Sequence, residues 1–329
     1  VSPARLNSAL AALALVGFLA SLLVGPAGLS LAASFKGLFA GGAEAATAIM
    51  REIRLPRALL GVAIGFALGL SGAALQGLLR NPMAEPGIIG VSATASLGAV
   101  AIFHSGLAGA SFWALPAGSL AGALVAVVIL VAMVTGRTST LTLVLAGIAL
   151  SSFANALTAL ALNLSPNPFA AYEIIFWLLG SLADRSLLHA SAALPLISIG
   201  AVLLFASARA LDALALGEET AESLGIDMRR TRLAVIAGVA LCVGAGVAVA
   251  GAIGFVGLVT PHLVRPLTSR LPGATLLPSA LAGAALLTLA DTAVRLLPTG
   301  RELNVGVATA LIGAPFFLWL VTRSRREAW

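Results

Sequence analysis

Eight stretches of the chain contain no Asp, Glu, Lys or Arg: residues 6–35, 58–79, 86–136, 138–172, 186–208, 233–264, 271–290 and 303–322. A helix that crosses a bilayer needs roughly 20 mostly apolar residues, so every run has room for a crossing. The run 86–136 is too long for one helix and breaks at His104-Ser105-Gly106 and before Pro116. The run 233–264 breaks at the Gly-rich stretch Gly251 to Gly257, leaving a full span and a short one that ends near Pro266. The pattern predicts ten spans: 8–25, 58–79, 87–104, 114–135, 139–162, 188–208, 233–251, 254–267, 274–296 and 304–322. The segment 172–183 is apolar but only about half a span long, which fits an interfacial or re-entrant helix. The first run follows Arg5 and is long for a signal peptide. No small-residue cleavage pattern closes it, so it reads as the first spanning helix.

Composition agrees with this pattern. Of the 329 residues, 60% are hydrophobic and 10% charged, against roughly 25% charged in soluble domains. The single cysteine, Cys242, lies in an apolar run and cannot form an internal disulfide. The net charge is +6. In a soluble chain such a balance would point to nucleic acid. Here the cations flank spans, so they report orientation and no nucleic-acid partner is expected. With the N-terminus in the cytoplasm, the inner side carries Arg5, Arg80, Arg137, Arg209, Arg229, Arg230, Arg232, Arg265, Arg270, Arg323, Arg325 and Arg326. The outer side carries Lys36, Arg51, Arg54, Arg57, Arg185, Arg295 and Arg301. Twelve against seven favours both termini inside, although the four outer cations within 36–57 need a reason of their own.

The spans contain little chemistry. Gly61, Gly65 and Gly69, followed by Ser71 and Gly72, recur at the spacing that lets helices approach closely in lipid. His189, His262 and Asp291 sit near span ends. No carboxylate or histidine relay lies at mid-bilayer, which argues against a secondary carrier. No nucleophile-base pair or metal-ligand cluster supports an intramembrane hydrolase, and no metal site is expected. No phosphate-binding Gly-x-x-x-x-Gly-Lys-Ser/Thr loop is present. If the chain serves active transport, its motor is another polypeptide.

One segment departs from this apolar character. Residues 209–232 hold nine charged side chains: Arg209, Asp212, Glu218, Glu219, Glu222, Asp227, Arg229, Arg230 and Arg232. Within it, Gly217 to Gly225 reads as a short helix with acids in its first turn, where the helix dipole favours them. Gly225 is a natural stop, and Ala221 and Leu224 are expected to share a face. So charged a segment in so apolar a chain reads as a cytoplasmic contact surface.

Several short motifs carry a resemblance. They are Arg54-Leu55-Pro56-Arg57, Ser71-Gly72-Ala73-Ala74-Leu75-Gln76, the run from Arg80-Asn81-Pro82-Met83-Ala84-Glu85-Pro86 to Ser92, Gly254 to His262, and Gly313-Ala314-Pro315-Phe316-Phe317. In this order, over roughly residues 50–322, the chain resembles the permease subunits of bacterial ABC importers for iron chelates, haem and cobalamin. The resemblance implies an all-α polytopic membrane protein of about ten spans, forming one domain over 1–329 with the coupling loop 209–232 inside it. It implies a bacterial inner-membrane location and assembly with a second permease subunit, most simply a copy of this chain. Two cytoplasmic ATPase subunits would carry the ATP and Mg, this chain binding no cofactor, and a periplasmic binding protein would deliver substrate.

The resemblance also suggests roles. Gly217, Glu218, Glu219, Ala221, Glu222, Leu224 and Gly225 match a coupling helix that docks on the ATPase. Arg54, Arg57 and Arg295 match positions that pair with acidic residues of the binding protein, the alternative for Arg57 being a simple interfacial anchor. Asn81, Pro82 and Met83, with Thr138, Ser139, Thr140 and Leu141, match the cytoplasmic gate. Pro82 and Pro86 stiffen that turn. The fifth span would line the path through Ser151, Asn155 and Thr158, with Ser152 beside them; interhelical hydrogen bonding explains the same residues equally well. On the breadth of the family alone, a siderophore or haem iron chelate is the expected substrate and cobalamin the alternative. A secondary carrier or a membrane protein without transport activity are the competing classes.

Overall fold

The computed structural model describes residues 2–40, 44–133, 140–165, 168–297 and 303–326. Among the described residues all regular structure is helical. The α-helices are α1 (Pro3–Leu23), α2 (Leu31–Phe35), α3 (Glu44–Ala48), α4 (Leu55–Leu78), α5 (Val91–His104), α6 (Ala114–Met133), α7 (Thr140–Asn163), α8 (Pro168–Leu178), α9 (Leu187–Ala206), α10 (Ala208–Leu214), α11 (Glu218–Ser223), α12 (Met228–Ala250), α13 (Val256–Val264), α14 (Pro272–Leu296) and α15 (Val305–Arg326). Each of the ten predicted spans coincides with one of them: α1, α4, α5, α6, α7, α9, α12, α13, α14 and α15.

Among the described residues, seven helical stretches are long and apolar enough to cross a bilayer unaided: Pro3–Leu23, Ala45–Leu78, Ala114–Met133, Thr142–Asn163, Leu187–Ala206, Met228–Ala250 and Pro272–Leu296. Ala45–Leu78 outruns its predicted span because a π-helical stretch, Ile49–Arg54, joins α3 to α4 without a break. α5 and α15 are shorter apolar helices. α13 has only nine residues and is extended by the 3-10 turn Arg265–Leu267. The break before it lies where the glycines predict it. The chain leaves α12 at Gly251 (φ +72°) and re-enters a helix after Phe255, itself at φ +67°, a region that costs a side chain with a Cβ.

α4 runs through the centre of the bundle and is buried along nearly its whole length. Its glycines make this possible. A Cβ on Gly65 would collide with the carbonyl of Gly283 in α14, and one on Gly283 would collide with the carbonyl of Gly65. Gly69 lies in the same way against the Ser279 carbonyl, and Gly72 against Gly257 of α13. The small-residue stripe is therefore a packing device, and dispersion contacts at backbone distance hold the helices together where no hydrophobic effect operates. Cys242 is buried between α12 and α9, its thiol 3.6 Å from the Ile197 carbonyl. The periphery is apolar: Leu15 and Val16 of α1, Leu124 and Val128 of α6, Phe153 and Leu160 of α7 are all exposed, as lipid contact requires.

α8 is the half-length helix expected near 172–183. Its last turn and the residues just after it are tied to two neighbours. Asn304 Nδ2 donates to the Phe176 carbonyl at 3.1 Å, Gly306 N–H to the Gly180 carbonyl at 3.0 Å, and Ser181 N–H to the Ala250 carbonyl at 2.8 Å.

Candidate functional site

The charged segment forms two short helices and the start of a third. α10 leads into Gly217, whose φ of +115° turns the chain into α11. Glu218 and Glu219 occupy the first turn of α11. The helix stops as its sequence predicts: Gly225 adopts φ +85°, its N–H donates to the Glu222 carbonyl at 2.9 Å, and Ile226 N–H reaches back to Ala221 at 3.1 Å, a Schellman closure. Asp227 then caps α12 by accepting Arg230 N–H at 3.0 Å. Two long-range contacts fix the segment to the bundle. The buried Arg232 pairs with Glu218, and Asp212 Oδ1 accepts Gly273 N–H at 2.6 Å in the first turn of α14. Glu219 and Glu222 are left exposed, flanked by the exposed Leu216 and Leu224. Ala221 is fully buried while Leu224 is 62% exposed. The expectation that these two share a face fails, because the helix ends at Ser223 and the chain swings out through Leu224 and Gly225.

The turn between α4 and α5 is closed by its own backbone. Asn81 Oδ1 accepts Met83 N–H at 2.9 Å, the Asn81 carbonyl accepts Ala84 N–H at 3.1 Å, and Asn81 N–H donates to the Gln76 carbonyl at 3.2 Å. Asn81 and Pro82 are exposed and Met83 is half-buried. Thr138 and Ser139 lie outside the described residues. Thr140 and Leu141 open α7. A polar bridge that the sequence reading left without a role sits behind the turn. Gln76 Nε2 donates to the Ala84 carbonyl at 3.3 Å, and Gln76 Oε1 accepts from Arg265 Nη2 at 2.7 Å. The signal was a lone amide in an apolar span, which costs free energy in lipid unless it is paired. Glu85, in the same turn, borders a cavity of about 90 Å³ with Ser92 and Phe255. Burial pushes its carboxyl above the ordinary value, and a hydrogen bond from the Phe255 backbone N–H acts in the opposite direction.

On α7, Ser151 Oγ donates to the Gly87 carbonyl at 3.0 Å. Ser151 thus ties α7 to the turn that precedes α5. Asn155 is exposed, Thr158 half-buried and Ser152 exposed.

The three arginines expected at the opposite end of the bundle are not on its surface. Arg54, Arg57 and the Arg295 side chain are 3%, 7% and 5% exposed. Arg54 donates to the carbonyls of Leu22 and Leu23 at 3.1 and 2.9 Å. Arg295 donates to those of Ser21 and Val24 at 3.1 and 3.0 Å. The last carbonyls of α1, which a helix end leaves without partners, are thus met by cations, where the helix dipole also favours positive charge. Arg57 is held by Asp291, and Arg295 reaches the same carboxylate. In the chain by itself, the three guanidiniums are therefore engaged with groups of the bundle. This geometry gives two of the four cations within 36–57, Arg54 and Arg57, partners inside the bundle. Among the described residues, no group of three or more His, Cys, Asp or Glu is placed to hold a metal ion.

Comparison with known proteins fits this arrangement. The FecCD transport family matches residues 13–323. The chain is 42% identical over 280 residues to the cobalamin import system permease protein BtuC of Halobacterium salinarum, covering 84% of this chain and 74% of that protein. It is 40% identical over 276 residues to the vitamin B12 import system permease protein BtuC of Salmonella paratyphi A, covering 84% of each. A solved structure described as an inward-facing metal-chelate type ABC transporter superposes with a TM-score of 0.85 at 30% identity, covering 98% of this chain and 99% of that one. By the length of the family match and the identity to curated relatives, the chain belongs to the FecCD transport family.

Proposed function

We propose that this chain is the membrane-spanning permease subunit of an ATP-driven importer of cobalamin. The observation that carries the substrate is the likeness, over 84% of the chain, to permeases named for cobalamin or vitamin B12. It favours cobalamin over the iron chelates expected from family breadth. Cobalamin is itself a metal chelate, so the metal-chelate structural neighbour fits the same reading.

In this reading the chain contributes the path and the coupling surface, and no hydrolytic chemistry. ATP and Mg belong to separate ATPase subunits. α11 presents Glu219 and Glu222 between two exposed leucines, a knob that an ATPase groove can take, and its closed C-terminus and Asp212 link would pass a push on to α14. A second copy of the chain completes the path, a binding protein loads it from the opposite side, and the end bearing α11 faces the cytoplasm of the inner membrane, as the arginine distribution favours. The turn Asn81–Pro86 and the start of α7 form the gate at that end, and the exposed face of α7 with Ser152 and Asn155 borders the path.

The test is uptake by proteoliposomes holding this chain with the ATPase and binding protein encoded beside it. ATP-dependent accumulation of cyanocobalamin, with none of a ferric siderophore or haem, is expected. Accumulation of an iron chelate without cobalamin would overturn the substrate. Accumulation independent of the ATPase would overturn the class.

A further inference from the structure

Three side chains behind the gate turn point to a second role for the loop-to-helix contact. Gln76, Arg265 and Glu85 come from the end of α4, the turn following α13, and the α4–α5 turn. Gln76 uses both ends of its amide: the nitrogen holds the Ala84 carbonyl of the turn and the oxygen takes a charge-assisted bond from Arg265. On the other side of the turn, Glu85 and Phe255, at the start of α13, line the same small cavity, where the Phe255 backbone N–H favours the charged carboxylate. Phe255 is held at φ +67°, and its ring lies over Gly313 of α15, where a Cβ would collide with it. The turn therefore grips α13 near both of its ends. Pro86 also packs on Gly257.

We infer that Gln76, Arg265 and Glu85 are positioning residues that clamp the Asn81–Pro86 turn to α13, so that turn and helix move as one body when the path opens. The inference rests on the reading of that turn as the gate. A short turn with exposed Asn81 and Pro82 has little packing of its own to define its place. The Arg265–Gln76 link is a charge-assisted hydrogen bond, and losing it would raise the population of displaced turns by about tenfold.

The experiment uses the full complex in liposomes, with Met83→Cys as a reporter of the turn. Two quantities are read: the labelling rate of that cysteine by a membrane-impermeant maleimide, and the release of preloaded cyanocobalamin without ATP. Gln76→Leu, Arg265→Met and Glu85→Ala should each raise the labelling rate by about tenfold and raise the leak. Gln76→Leu combined with Arg265→Met should be no worse than either alone. Glu85→Gln, which keeps an acceptor for the Phe255 N–H, should behave as the unmodified complex. Unchanged labelling and leak in variants that assemble normally would overturn the clamp. So would failure of all three to assemble, since the contacts would then serve stability alone. The labelling readout needs no transport, so a complex that moves no cobalamin would sink the substrate assignment while leaving this test intact.

Discussion

Arg57 grips Asp291 across 234 residues of chain: its Nε lies 2.9 and 3.2 Å from the two carboxylate oxygens and its Nη2 2.7 Å from one of them. Both residues are buried. Arg295, one helical turn beyond Asp291, approaches the same carboxylate at 3.4 Å and also holds the end of α1. The cluster thus joins α1, α4 and α14. Removing one member of a buried pair strands the other without its counter-charge, a loss of roughly 3–5 kcal/mol. Asp291→Ala should lower the melting temperature of the detergent-solubilised protein sharply, and Arg57→Met should do the same. Arg57→Leu with Asp291→Leu should be less harmful than either single change. A melting temperature unmoved by Asp291→Ala would contradict the pairing.

The same geometry changes what charge reversal at Arg54 and Arg57 should do. Because Arg54 caps α1 and Arg57 pairs with Asp291, Arg54→Glu with Arg57→Glu should destabilise the protein before it alters any association rate. A double variant with unchanged melting but slow, salt-insensitive binding-protein association would assign these residues to docking and not to the packing of α1.

For α11 the expectation separates three acids. Glu219→Lys with Glu222→Lys, or deletion of 217–225, should leave the chain in the membrane while ATPase co-purification falls. Glu218→Gln acts differently, because it breaks the contact with Arg232 and should loosen the segment, read as faster hydrogen exchange at the start of α12. Normal recovery of the ATPase after the deletion would refute the coupling role.

Glu85 sets a pH dependence with a definite sign. Its folded-state pKa is raised above the ordinary 4.5 by burial, so the folded protein holds this proton more tightly than the unfolded chain. The contribution is fully present below 4.5 and is lost as pH rises through the folded value. Melting temperature followed upward from pH 4.5 should therefore decline more steeply for the native protein than for Glu85→Gln. Parallel curves would show that the carboxyl is not desolvated.

The close contact of α4 and α14 gives a paired test. Gly65→Ala places a methyl against the Gly283 carbonyl and should cost about 1–3 kcal/mol of stability. Gly254→Ala meets nothing within 4 Å and should cost far less. Equal melting temperatures for the two variants would deny the backbone-distance packing.

Much of the architecture was determined by the sequence alone, for a physical reason. A bilayer forces each crossing helix to satisfy its own backbone and to be mostly apolar, so the spans appear as long runs with few charges and their breaks as Gly and Pro. α11 was equally legible, since acids after Gly217 and a stop at Gly225 act within a single turn. Which polar groups meet was decided only by the tertiary structure. Arg57 and Asp291 lie 234 residues apart, and Gln76 and Arg265 lie 189 apart. No periodicity links such positions. An arginine at a span end looks the same in sequence whether it anchors in lipid, greets a partner or caps a neighbouring helix. Ser151 shows the same limit: its stripe on α7 is local, but its acceptor, the Gly87 carbonyl, belongs to another element. Burial decides between those roles, and burial is a property of how the helices pack.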